Sequence, residues 1–139
     1  MLTESDVIAA VWAYLKSAGY EIKQRLRETR RGIDIIAVRG NETLRIEAKG
    51  ATSSRDGSSR HGKRFNSNQA LDHIAKAFYK AAAVRADGPR IGIAIPGDKN
   101  HLAKVAAIQA VLTELAITTY WVYDDGKSIP RLVASRQTN

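Results

Sequence analysis

The run GIDIIAVRGNETLRIEAKG, residues 32–50, decides how this chain is read. It holds two apolar stretches, residues 33–38 and 43–49, on either side of Gly40-Asn41, a pair of residues that favours a tight hairpin turn. In the second stretch the period of two sets Leu44, Ile46 and Ala48 on one face and Arg45, Glu47 and Lys49 on the other. A loop closing at Gly40-Asn41 pairs Arg39 with Glu42, and counting back from there sets Asp34 opposite Glu47. Sliding the loop outward by one residue sets Asp34 opposite Lys49 instead. Both registers leave all three residues on one face, with directly opposed side chains about 5 Å apart at Cβ. Ile36 and Val38 continue the face of Asp34, so that face is expected to be covered, where charge is expensive. A cross-strand ion pair on a solvated face is the plainer alternative.

Two neighbouring carboxylates repel and push one pKa upward. A divalent cation relieves that repulsion. Oxygen ligands suit Mg2+, with Mn2+ as a substitute, held by one or two carboxylates together with water and substrate phosphate. Such an ion acidifies its water and polarises a phosphoryl group. A lysine beside it steadies the attacking water or the developing negative charge. Asp34, Glu47 and Lys49 therefore point to the cutting of a phosphodiester bond.

Outward from this run the pattern is mixed. Residues 3–18 have helical spacing, with Val7, Ile8, Val11 and Leu15 on one face, a Thr3–Asp6 capping box and Gly19 as the stop. Residues 20–27 alternate as a strand, with Tyr20, Ile22 and Leu26 on one face and Lys23, Arg25 and Arg27 on the other. A helix is expected over 67–84 with a buried stripe of Leu71, Ile74, Ala75, Phe78 and Ala82. A short buried strand at 90–95, a helix at 100–116 and a last strand at 118–123 follow, and Asp125-Gly126 turns the chain again. The order αβββαβαβ, with apolar central strands, predicts an α/β fold: a mixed central sheet with helices on both faces. No repeat or linker divides the chain, so a single domain over 1–139 is expected.

The hairpin and its setting resemble the PD-(D/E)xK, or restriction endonuclease-like, nuclease superfamily. Gly32-Ile33-Asp34 stands where its proline-aspartate would be, and Glu47-Ala48-Lys49 is its ExK. The Gly-x-Asp form is similar to the branch of Mrr-type restriction enzymes and archaeal-type Holliday junction resolvases. The likeness spans the core order from about residue 4 to 95 and implies an αβββαβ core, here with an added C-terminal helix and strand. It implies a Mg2+-dependent deoxyribonuclease with Asp34 and Glu47 on the metal and Lys49 beside it. It also implies a further acid on the first helix. At about 100° per residue from Val7, Glu4 falls at about 60°, among the apolar residues, and Asp6 at about 260°, pointing outward. Glu4 is thus the candidate, although resolvase-like members carry this acid about one turn later, where this chain has Ile8. The alternative role of Glu4 is to complement the helix dipole. Small relatives commonly pair to cut two strands, so a homodimer is a further expectation from the resemblance.

Bulk composition agrees with a polyanion partner. The chain has 139 residues, 22 Lys and Arg against 14 Asp and Glu, and a net charge of +8. A basic domain of this size is expected to meet polyanions, DNA or RNA most commonly and an anionic membrane surface less so. The absence of cysteine excludes disulfides, thiolate zinc sites and a cysteine nucleophile. No apolar run is long enough to span a membrane, and Glu4 and Asp6 stand where an export signal would be basic and then apolar, so a cytoplasmic protein is expected. The basic loop 51–66 supplies Arg55, Arg60, Lys63 and Arg64 as candidate DNA contacts, with Gln69 at the start of the next helix. Gln69, His73, Lys76 and Lys80 share a stripe that the periodicity sets opposite the apolar face, which favours a solvated face, while the resemblance implies a polar or basic residue of this helix assisting the site. His73 and His101 are not at metal-pair spacing, and Gly97-Asp98-Lys99 reads as a helix start rather than a phosphate loop. The leading reading is a DNA endonuclease. The alternative is a catalytically silent nuclease fold used as a DNA-binding or assembly module. An RNA nuclease ranks below both, because no aromatic stacking platform stands out.

Overall fold

Around Gly40-Asn41 the chain forms the expected hairpin, β2 (Ile35–Arg39) against β3 (Glu42–Ala48). Gly40 has φ +60 while Asn41 stays at negative φ, the pattern of a type II′ turn, whose twist matches the flanking strands. The computed structural model describes residues 2–25, 34–51, 66–86, 90–124 and 131–135. These build α1 (Glu4–Ser17), β1 (Glu21–Arg25), β2, β3, α2 (Ser67–Ala86), β4 (Arg90–Pro96), α3 (Lys99–Glu114), β5 (Thr118–Tyr123) and β6 (Arg131–Ser135). The strands form one six-stranded sheet in the order β1-β2-β3-β4-β5-β6. The pairs β1–β2, β2–β3 and β5–β6 are antiparallel, and β3–β4 and β4–β5 are parallel. The expected mixed α/β architecture and its αβββαβ core are therefore present.

Each face of the sheet has its own core. On one, Ile35, Ala37, Leu44, Ile46 and Ala48 pack with Val7, Ile8, Val11 and Leu15 of α1. On the other, Ile91, Ile93 and Ile95 of β4 pack with Ile74, Ala77 and Ala81 of α2 and with Val105 and Leu112 of α3. The α1 cap is as read: Thr3 Oγ1 accepts from Asp6 N–H, and Asp6 accepts from Thr3 N–H. Gly19 closes the helix at φ +90.

Four expectations need correction. First, β2 begins at Ile35 rather than at residue 33, because Asp34 occupies a bend and its own carboxylate takes the N–H of Ala48 at 2.7 Å. Second, α2 buries Ala70, Ile74, Ala77 and Ala81, while Leu71 is 51% exposed and Ala75 is also exposed. The helix docks on its alanines, which allow a close approach to the sheet, rather than on its largest apolar residues. Third, β6 lies beyond the strand read as the last. Its five residues are too few for periodicity to distinguish, and antiparallel pairing with β5 supplies its backbone partners. In addition, β1 carries an irregularity between Ile22 and Gln24, so the simple alternation read over 20–27 does not run through it. Leu26, Arg27 and the Asp125-Gly126 turn lie outside the described residues.

Candidate active site

The pairings Arg39–Glu42, Val38–Thr43, Ala37–Leu44, Ile36–Arg45 and Ile35–Ile46 select the first of the two registers. One step further, Asp34 stands opposite Glu47. Both face away from α1, toward the side covered by α2, since their neighbours Ile35 and Ile46 belong to the α1 core. Asp34 is 4% exposed and Glu47 1%. Two acids are thus sunk side by side in a nearly dry position at the carboxyl end of β3, beside the parallel strand β4.

Their electrostatics follow from that placement. Burial raises the pKa of Asp34; the Ala48 N–H and the ammonium groups of Lys49 and Lys80 act against the rise. Burial and then the charge of Asp34 raise that of Glu47, opposed by Lys80 and Lys49. Glu47 Oε1 lies 3.2 Å from Lys80 Nζ and 4.0 Å from Lys49 Nζ. Glu47 Oε2 is buried and has no hydrogen-bond partner. An orphaned carboxylate oxygen in such a place costs about 1–3 kcal/mol or more. A cation is the group that most directly removes this cost together with the repulsion from Asp34. Among the described residues no set of three or more His, Cys, Asp or Glu is arranged to hold a metal ion. A two-carboxylate set nevertheless fits a hard ion that keeps several waters and takes its other oxygens from a phosphate. Arg45, on the same face two residues before Glu47, has a buried Nε without a hydrogen-bond partner.

Lys80 is the residue that sequence reasoning placed wrongly. With α2 turned onto Ala70, Ile74, Ala77 and Ala81, His73 and Lys80 fall about 70–90° round from the middle of the buried face. They lie on its flank rather than opposite it, and Lys80 reaches Glu47 from there. Lys76 stays outside, paired with Asp72 at 3.0 Å. His73 is half-buried, and burial followed by the charge of Lys49 lowers its pKa to about 4. The periodicity of α2 missed this because its docking face is built on alanines, which gave a weak signal.

Glu4 opens α1 and is half-buried. The start of α1 lies against the end of β3: Ala51 N–H donates to Leu2 O at 2.7 Å, and a Cβ on Gly50 would collide with the backbone of Thr3 and Glu4. Gly50 thus lets the helix start sit one residue beyond Lys49. Gln69 forms a reciprocal cap at the start of α2, accepting from Asn66 N–H and donating its own N–H to Asn66 Oδ1, each at 2.9 Å. Arg55, Arg60, Lys63 and Arg64 lie outside the described residues.

A second polar group stands at the start of α3. Asp98 caps the helix, as the sequence suggested, by accepting from His101 N–H at 3.0 Å. The same carboxylate holds His101 Nδ1 at 2.8 and 2.9 Å. His101 is fully buried, and its ring centroid is 6.5 Å from that of His73. Spacing along the chain did not foretell this pairing, which the packing of α2 against α3 brings about.

No family model matches the chain, and no curated protein matches it. Among solved structures, it is similar to Pyrococcus furiosus SfsA in complex with Ca2+, at 17% identity and a TM-score of 0.44, over 98% of this chain. The chain spans 61% of the length of that structure. A likeness this distant carries no argument about the chemistry of the site.

Proposed function

We propose that this protein is a metal-dependent endonuclease of the PD-(D/E)xK type that hydrolyses phosphodiester bonds in DNA. The observation that carries the reading is the buried pair Asp34 and Glu47, with Glu47 Oε2 unpartnered and two lysines at Oε1. Asp34 and Glu47 would hold Mg2+ or Mn2+, which when bound acidifies water and draws charge from the phosphoryl group. Lys80 and Lys49 on one oxygen of Glu47 leave the other oxygen for the ion. Lys49, 15% exposed at its side chain, is the ammonium placed to meet the attacking water or the developing charge. Asp34 keeps one oxygen on the Ala48 N–H, which fixes the orientation of its carboxylate. The net charge of +8 favours a polyanionic substrate.

A plasmid nicking assay with Mg2+, Mn2+ or EDTA tests this. Nicking is expected with either ion and none with EDTA, and Glu47→Gln is expected to be inactive at an unchanged fold. Salt-dependent DNA binding with no cleavage under any of these conditions would instead support the second reading, a silent nuclease fold that binds DNA, which the same net charge favours.

A further inference from the structure

We propose that His73 and His101 form a second metal site, taking one transition-metal ion such as Zn2+ between their imidazoles, separate from the carboxylate pair. His101 carries the argument. Its Nδ1 is bound to the Asp98 carboxylate, so in the neutral ring the proton sits there and the lone pair is on Nε2. That Nε2 is buried and has no hydrogen-bond partner, in a residue with 0% exposure. Helix capping accounts for Nδ1 and leaves Nε2 unexplained. A carboxylate behind one nitrogen of an imidazole is the arrangement that orients metal-binding histidines and raises their basicity.

The second imidazole is in place. The His73 ring lies 6.5 Å from that of His101, centroid to centroid, and tilted by 57°. With metal–nitrogen bonds of about 2.0–2.1 Å, two imidazoles at a tetrahedral angle have centroids about 5 Å apart. The pair needs to close by about 1.5 Å, and His73, the half-buried partner, is the ring with room to move. Lys49 and Lys76 bring positive charge near His73, which Asp72 opposes in part, and Asp98 sets a carboxylate on the other imidazole. Imidazole nitrogen selects Zn2+, Ni2+ or Cu2+ over Mg2+, so the two sites differ in ligand type and in ion.

The test does not depend on cleavage. Metal-stripped protein is titrated with Zn2+ by calorimetry and with Co2+ by its visible absorption, in the wild type and in Glu47→Gln, which lacks the carboxylate site. One equivalent at the imidazole pair is expected in both, and a second equivalent, on the carboxylates, only in the wild type. Affinity should fall at least tenfold in His101→Gln and in His73→Ala; the latter changes a half-buried position and guards against loss of the fold. Absence of saturable binding in Glu47→Gln, or undiminished binding in folded His73→Ala, would overturn the proposal. Neither result bears on the nuclease reading, which rests on Asp34 and Glu47.

Discussion

At the scale of single residues, Glu47 is the point on which the site turns. It shares a dry position with Asp34 and is balanced by Lys80 and Lys49. Asp34→Asn, Glu47→Gln and Lys49→Ala are each expected to abolish cleavage in a folded protein, and the two carboxylate changes to remove metal affinity as well. Undiminished Mn2+ binding by Glu47→Gln in a calorimetric titration would rule it out as a ligand. Lys80→Ala separates the two lysines. If Lys80 only holds Glu47 in position, the variant should lose about tenfold in rate, about 1.4 kcal/mol of barrier, and keep part of its activity where Lys49→Ala keeps none. The same residues set a pH dependence. Asp34 and Glu47 have raised pKa values in the fold, so between the ordinary carboxylate range and those raised values the folded state binds more protons than the unfolded one. Their contribution to stability therefore declines as pH rises through that window. His73 acts in the opposite sense: lowered from 6.5 to about 4, it costs stability as pH falls between those values. Without metal, the melting temperature of Asp34→Asn should thus decline less than that of wild type as pH rises above the carboxylate range. An NMR titration should place the His73 ring near 4, and an ordinary imidazole titration there would contradict its buried setting.

At the scale of elements, the hairpin was legible because two independent signals agreed. The turn residues placed the loop and the period of two set the faces in either register, and the strand pairing then selected the register that brings Asp34 opposite Glu47. The site's third wall was not legible. The α2 residues Leu71 and Ile74 suggested a face, but docking on Ala70, Ala77 and Ala81 turns the helix so that Lys80 and His73 come inward. That choice is made by sheet and helix together, and the local pattern of α2 does not contain it. The same holds for β6, which exists through its pairing with β5. Between these cases stands α1. Its cap and faces were readable, but its docking at Gly50 is a tertiary contact. Gly50→Ala is expected to lower the melting temperature, since the added methyl meets backbone of Thr3 and Glu4 rather than a movable side chain. Glu4→Gln distinguishes two roles for the helix start. As part of the metal site, Glu4 should give a rate loss of at least tenfold, about 1.4 kcal/mol, with the melting temperature nearly unchanged. As a partner of the helix dipole, it should give a loss of a few tenths to about 1 kcal/mol of stability with full activity. The approach of the α1 start to Gly50 favours the first outcome and the one-turn offset of Glu4 favours the second, and one variant measured for both rate and melting temperature decides.

At the scale of the whole molecule, the proposed function asks charge and architecture to serve one polyanionic partner. The net charge of +8 belongs to a chain whose candidate site sets two carboxylates, Asp34 and Glu47, beside two lysines, Lys49 and Lys80, so the basic surplus is carried by residues outside the site. A polyanion is drawn by the surplus, and a cation on the unpartnered Oε2 of Glu47 would add a group that takes phosphate oxygens at the site. Substrate and metal should therefore assist each other: DNA affinity at the site is expected to rise when Mg2+ is added to wild type and to be insensitive to it in Glu47→Gln. Binding should also weaken steeply with salt, because each phosphate contact releases counterions and contributes about 0.9 to the slope of log K against log salt. Residues 51–66 concentrate Arg55, Arg60, Lys63 and Arg64 directly after the ExK strand, which makes them the first candidates for those contacts. Replacing Arg60, Lys63 and Arg64 by alanine should weaken binding to every sequence alike and flatten the slope by about 3. It should leave Mn2+ affinity intact, since the carboxylates are untouched. An unchanged slope would move the phosphate contacts to other basic residues of the surface. A flattened slope with lost metal affinity would mean that the segment shapes the acidic site as well as the path of the DNA. Measuring both quantities on the same triple variant separates attraction by the surface from chemistry at the sheet.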